Sequence, residues 1–375
     1  MANQLQRLSE QGVAVWVDSI ARDWLEKGEL RRLRDQFSVV GVTSNPTIFQ
    51  KAMGEGSFYD EDLQRLAREG RDARAIFERL ALDDIRAAAA DMEPVWQRTG
   101  GLDGRISFEL PPDIANDTDA SIREARRLFD ALARPNVFIK IPATAEGVPA
   151  VRASIADGIN INVTLIFSIA RYREVIEAYL AGLEDLADAG GDLTQIASVA
   201  SFFVSRVDTN VDEKLQRIVE AGGPTAGPAR TRLGTAAIDN AKLAYEVFEQ
   251  SFSGPRWEAL ARLGARVQRP LWASTSTKNP AYRDVVYVEE LVAADSVNTM
   301  PLATIEAVAD HGEVRGQTIK ENLDRAHALW PELAQLGIDE DQVGEELEVD
   351  GVKKFADSYN GVLDTVEAKR TEAVR

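Results

Sequence analysis

The sequence predicts an α/β protein, a (β/α)8 TIM barrel with additional helices, especially at its C-terminus. Short apolar, β-branched runs recur eight times along the chain, and stretches with helical periodicity separate them. Polar residues sit late in those runs, where the C-terminal ends of barrel strands carry active sites. No G-x-G-x-x-G or G-x-x-x-x-G-K-[ST] follows any run, so a nucleotide-binding open sheet loses its support.

The expected strands are GVAVWVDS (12–19), SVVGVTSN (38–45), RISFEL (105–110), NVFIKIP (136–142), INVTLIFS (161–168), IASVASFFVS (196–205), RPLWAST (269–275) and DSVNTM (295–300). Between them, 62–98 reads as two or three helices, and 169–190 and 232–252 each read as one. The Gly/Pro-rich stretch AGGPTAGPAR (221–230) is expected to be a loop at the top of the barrel. Segments 302–335 and 345–373 are helical, and 302–375 is taken as helical decoration of a single domain spanning 1–375.

With 45% apolar and 28% charged residues, the chain has the composition of a globular protein with a substantial core. A formal net charge of -18 argues against nucleic acid or an anionic membrane as partner, yet permits a small anionic ligand in a locally basic pocket. There is no cysteine, which excludes disulfides, thiolate catalysis and zinc–thiolate sites. The two histidines, His311 and His327, lie in helix or loop segments, which argues against a multi-histidine metal site or a serine–histidine triad. MANQLQRLSEQG lacks a signal-peptide core and no apolar run approaches membrane-spanning length, so the cytoplasm is the expected compartment.

Lys140, inside the otherwise apolar VFIKI, is the first candidate for chemistry, because a buried strand tolerates an amine only when it is paired or has a lowered pKa. Strand parity sets Lys140 with Phe138 and Pro142, opposite Val137, Ile139 and Ile141. Asp18 holds the same late position in the first strand. Thr43 and Asn45 end the second, Glu109 follows Ser107 in the third, and Asn162 and Thr164 share a face of the fifth. Ser201 lies late in the sixth and Ser274 ends the seventh.

Structural readings compete with each of these. Asn45 before Pro46 is also a good helix cap, and Asp18 could cap a helix near Ser19. Asn162 and Thr164 could form an interior network, Glu109 could end an edge strand, and Lys140 alone could snorkel to the surface.

The set nevertheless suits one chemistry. A desolvated lysine can attack a ketone and form a Schiff base, whose protonated imine is an electron sink for cleaving the adjacent carbon–carbon bond. Cleavage needs a base, and imine formation and hydrolysis need proton transfer through a held water. Asp18, Glu109 and Thr164 fit those tasks, and Asn45, Asn162 and Ser201 could bind sugar hydroxyls. Arg206, Lys278, Arg230 and Arg232 are the candidate phosphate-binding cations, or else surface charges.

VDS with Asp18, GVTSNPTIF (41–49), IKIPAT around Lys140, NVTLIFS (162–168), SFFVSRVD (201–208) and ASTSTKNP (273–280) resemble, in order and spacing, the transaldolases. The likeness runs from about residue 12 to 300, with a similar tail around GVKKF (351–355). It implies a Schiff base on Lys140 and transfer of a dihydroxyacetone unit between sugar phosphates in the pentose phosphate pathway: sedoheptulose 7-phosphate plus glyceraldehyde 3-phosphate giving erythrose 4-phosphate and fructose 6-phosphate. By the same resemblance Asp18 is the acid/base of cleavage, and Glu109 with Thr164 holds the proton-relaying water. Asn45, Asn162 and Ser201 contact the dihydroxyacetone part, and Arg206 and Ser274 the phosphate; Thr43 and Lys278 complete the expected substrate-binding set. No cofactor or metal is implied.

Many members carry an arginine after the seventh strand, where this chain has TSTK. The long 221–232 segment and tail resemble a longer bacterial type, as a monomer or a homodimer. The alternative is a Schiff-base aldolase that uses the same lysine but releases free dihydroxyacetone. A metal-assisted enzyme with Asp18 and Glu109 as ligands, and a sugar-phosphate binder without catalysis, are more distant rivals.

Overall fold

The structure, a computed structural model, describes residues 3–374. Eight parallel strands, β1 (Val13–Val17), β2 (Val39–Thr43), β3 (Arg105–Glu109), β4 (Val137–Pro142), β5 (Ile161–Ile166), β6 (Ser198–Phe203), β7 (Arg269–Ala273) and β8 (Ser296–Met300), close into a barrel in chain order. β8 returns to β1 with Trp16 opposite Thr299, which completes the ring and leaves no sheet edge. All eight expected runs are strands.

Parity sorts their side chains as the sequence required. Ile106, Val137, Ile139, Ile141, Ile161 and Val163 face outward against the helices and are fully buried. Each such residue contributes roughly 1.5–3 kcal/mol by leaving water. Inside, Trp16 stacks on Phe138 with ring centroids 6.1 Å apart, and the Arg105 guanidinium lies 5.1 Å from the Phe138 centroid. These three large groups fill the barrel below Lys140 and form the floor of whatever opens above it. Gly41 makes this possible, since a Cβ there would fall 2.3 Å from Trp16 Cε2.

The 62–98 segment is two helices, Asp60–Arg68 and Ala73–Arg98. Gly70 at φ +80° and Asp72, which accepts a hydrogen bond from Ala75 N, end one and start the other. The expected top loop at 221–230 is corrected. Helices Ser205–Ala221 and Ala226–Arg232 enclose only a short turn. Asp208 and Asp212, in the first half of the first, accept from Ala237 N and Gly234 N, so the second helix has brought the chain back up. The turn therefore lies at the far end from the strand C-termini.

After β8 come helices Leu302–His311, Leu323–Gln335 and Glu340–Ala373. The last is 34 residues long and crosses the C-terminal ends of the strands, packing on the Pro46–Gly54 helix and on β5. Among the described residues no helix is long and apolar enough to cross a membrane.

Candidate active site

β3, β4 and β5 pair so that Glu109, Lys140 and Asn162 lie side by side across the barrel interior. Lys140 is 6% exposed, which removes the snorkelling alternative. Its Nζ donates to the Ser44 carbonyl at 3.2 Å and stands 3.6 Å from Glu109 Oε2. Above it opens a pocket of about 230 Å³ lined by Asp18, Thr43, Asn45, Lys140, Thr164, Ser201, Arg206, Ser274 and Lys278, all expected from the sequence. Asn162 supports it from below. Its Nδ2 donates to Ser107 Oγ at 3.0 Å and its Oδ1 accepts from Ser201 Oγ at 2.7 Å, which fixes the amide orientation.

Asp18 does not cap the following helix, whose N-cap, Ala21, makes no side-chain cap. Instead its Oδ1 accepts from Thr43 Oγ1 at 3.0 Å, and Thr43 Oγ1 also meets Thr299 Oγ1 at 2.7 Å. Asn45 does cap its helix, accepting from Ile48 N, while also facing the pocket. Arg230 and Arg232 are not in the site. Arg230 is exposed, and Arg232 is buried against Asp239 and Glu332.

Burial raises both carboxylates. It pushes Asp18 up from its ordinary value, with the Lys140 charge and the Thr43 hydrogen bond opposing it. It takes Glu109 up to about 7, against the pull of Lys140. Both Glu109 oxygens, Thr164 Oγ1 and Arg206 Nη1 are buried without a hydrogen-bond partner among the described residues. Unpaired buried polar atoms cost roughly 1–3 kcal/mol each, so such atoms are suited to a polar ligand or held water. Thr164 and Arg206 line the pocket, whereas Glu109 lines a neighbouring cavity with Asn45 and Phe49 and meets the site through Lys140.

Burial lowers Arg206, whose guanidinium lies 5.2 Å from the Phe203 centroid. Lys278 stands at the exposed rim, its Nζ donating to Ser276 Oγ at 2.8 Å. Two non-glycine residues take the left-handed conformation beside the site, Leu165 at φ +61° and Ser274 at φ +57°. Such conformations cost roughly 1–3 kcal/mol and persist only where packing enforces them. At Leu165 the β5–β6 register breaks; at Ser274 the hydroxyl meets Ser205 Oγ at 2.8 Å.

Sequence reasoning missed Thr299, Ser276, Phe203 and Phe355, which also line the pocket. The late-position rule applied to DSVNTM would have found Thr299. Phe355 comes from the last helix, and its one sequence trace, the GVKKF motif (351–355), does not show that it reaches the pocket. Among the described residues no group of three or more His, Asp or Glu is placed to hold a metal ion.

A buried lysine flanked by two raised carboxylates, at the C-terminal ends of a closed parallel barrel, defines a (β/α)8 protein of the lysine–carboxylate type. Residues 15–366 match the family described as transaldolase/fructose-6-phosphate aldolase. A transaldolase of Parafrankia sp. (strain EAN1pec) is 51% identical over 98% of this chain and 98% of its own length. Transaldolases of Thermobifida fusca (strain YX), 50% identical over 98% of both chains, and of Acidothermus cellulolyticus, 48% identical over 100% of this chain and 99% of its own, are similarly close. The chain belongs to the transaldolase/fructose-6-phosphate aldolase family, and within that family it is a transaldolase enzyme.

Proposed function

We propose that the enzyme moves a dihydroxyacetone unit from sedoheptulose 7-phosphate to glyceraldehyde 3-phosphate, giving erythrose 4-phosphate and fructose 6-phosphate, through a Schiff base on Lys140. The observation that carries this reading is the Lys140 amine, buried 3.6 Å from Glu109 Oε2 in a pocket shared with Asp18. Lys140 attacks the ketone carbon, and loss of water leaves the iminium. Asp18 takes the proton from the hydroxyl beyond the scissile bond, and the electrons flow into the iminium to form an enamine. Glu109 and Thr164, with their unpaired oxygens, hold the water that carries protons during imine formation and hydrolysis.

Thr43, Asn45, Asn162 and Ser201 hold the hydroxyls of the three-carbon unit. Arg206, Ser274 and Lys278 hold the phosphate, Arg206 as a fork and Lys278 as a point charge at the rim. We read the chain, 1–375, as a single cytoplasmic domain acting in the pentose phosphate pathway. All three relatives named above are transaldolases, which favours transfer over release of free dihydroxyacetone.

The test is borohydride reduction with fructose 6-phosphate followed by peptide mass mapping. The expected result is a three-carbon adduct on Lys140; an adduct elsewhere, or none, overturns the mechanism.

A further inference from the structure

We infer that Phe355 is the shield that keeps the three-carbon unit on Lys140 until an acceptor aldehyde arrives, so that this ring sets the balance between transfer and release. The inference rests on the Schiff-base reading above. It starts from the GVKKF motif (351–355), which none of the proposed catalytic steps uses.

Gly351, Phe355 and Tyr359 are spaced by four residues on the Glu340–Ala373 helix and share a face. That face looks at the barrel. A Cβ on Gly351 would fall 2.9 Å from Leu165 Cδ2 and 3.5 Å from Arg206 Nη1, so glycine lets the helix backbone settle onto the end of β5. Tyr359 is buried edge-on to Phe77, with centroids 5.6 Å apart. Between them, Phe355 lines the pocket, its ring centroid 5.8 Å from Lys140 Nζ. The intervening lysines turn away: Lys353 pairs with Asp357 and Lys354 with Asp350. The motif thus reads as a close-approach glycine, two solvent-facing lysines and one aromatic aimed at the nucleophile.

An apolar face there has a specific chemical consequence. After bond cleavage the three-carbon unit is an enamine joined to the Lys140 nitrogen. In transfer, its nucleophilic carbon bonds to the acceptor's carbonyl carbon, and the aldehyde oxygen takes up a proton. In release, that carbon takes a proton instead, and the adjacent carbon–nitrogen bond becomes an iminium. Water then adds to the iminium carbon, and the carbon–nitrogen bond breaks to give the amine and free dihydroxyacetone. The two fates divide at protonation of the enamine carbon. A ring over the nitrogen keeps bulk water, the proton carrier, from that carbon.

The experiment compares wild type with Phe355→Ala and Phe355→Leu, supplied with fructose 6-phosphate and saturating erythrose 4-phosphate. Free dihydroxyacetone and transferred product are counted in the same reaction, in D2O so that enamine protonation is marked by deuterium. Borohydride trapping on Lys140 runs alongside. The expected result is an intact Lys140 adduct and a ratio of release to transfer raised by about tenfold in Phe355→Ala, with a smaller rise in Phe355→Leu. An unchanged ratio in both variants with the adduct intact overturns the inference while sparing the Schiff base. Absence of the adduct in wild type overturns the Schiff base itself. Phe355→Leu, which keeps an apolar side chain against the barrel, carries the reading if Phe355→Ala loosens the helix.

Discussion

Lys140 Nζ and Glu109 Oε2 stand 3.6 Å apart with side chains only 7% and 8% exposed, and neither Glu109 oxygen has a hydrogen-bond partner among the described residues. A buried ion pair satisfied this incompletely does not stabilise a fold. It is suited to moving protons and electrons.

Replacing Lys140 by methionine is accordingly expected to abolish adduct formation while leaving Tm unchanged or raised. Burial already raises Glu109, and loss of the amine removes the charge that opposes this rise, so the carboxyl can take up a proton and leave no unpaired charge behind. A fall of more than about 5 °C in a thermal melt would show the pair to be structural.

Glu109→Gln keeps the shape of the side chain but cannot exchange a proton. Steady-state kinetics should show kcat reduced by about 10²–10⁴-fold, the usual contribution of general acid–base catalysis. Unchanged turnover would remove Glu109 from the mechanism.

Arg206→Ala is expected to lower kcat/KM for fructose 6-phosphate by about 10–100-fold, the worth of one charge-assisted contact, and to leave unphosphorylated fructose unaffected. Arg206→Lys should recover only part of the loss, because a point charge replaces a fork. Equal losses on both sugars would place Arg206 away from the phosphate.

Asp208, two residues on, supplies a pH test of stability. Burial takes it from an ordinary 3.8 up to about 7, opposed by the hydrogen bonds from Tyr287 Oη and Ala237 N. Across that window the folded chain keeps a proton that the unfolded chain has lost. Its contribution is therefore full below about pH 3.8 and is lost as pH rises through about 7. In Asp208→Asn this dependence disappears, so the variant's Tm relative to wild type should be higher at pH 8 than at pH 5. A pH-independent difference would contradict the raised value.

Gly41→Ala tests the floor of the site. Its Cβ, 2.3 Å from the Trp16 ring, must displace a side chain locked against Phe138, at a cost of about 1–3 kcal/mol. Gly227→Ala, with nothing within 4 Å, serves as the control and should be neutral or slightly stabilising in chemical denaturation.

The strands were legible because a parallel barrel, packed outside by helices and inside by its own side chains, needs largely apolar runs, and these stand out against amphipathic helices. The candidate site was legible for a related reason. On so apolar a strand, a late residue such as Lys140, Asp18 or Thr164 can only point inward at the C-terminal end. The chain path between β6 and β7 was less legible, since Pro and Gly in AGGPTAGPAR mark turns without showing that a short helix, Ala226–Arg232, lies among them.

The sequence by itself determined the barrel, the nucleophile candidate and the polar ring around it, because period-two alternation and strand order are local properties. Tertiary structure decided what surrounds them. It removed Arg230 and Arg232 from the site and turned Asp18 toward Thr43. It also carried Phe355 from the last helix to within 5.8 Å of Lys140. Those outcomes depend on closure of the barrel and on the close approach that Gly351 permits, contacts between residues far apart in the chain that no local pattern encodes.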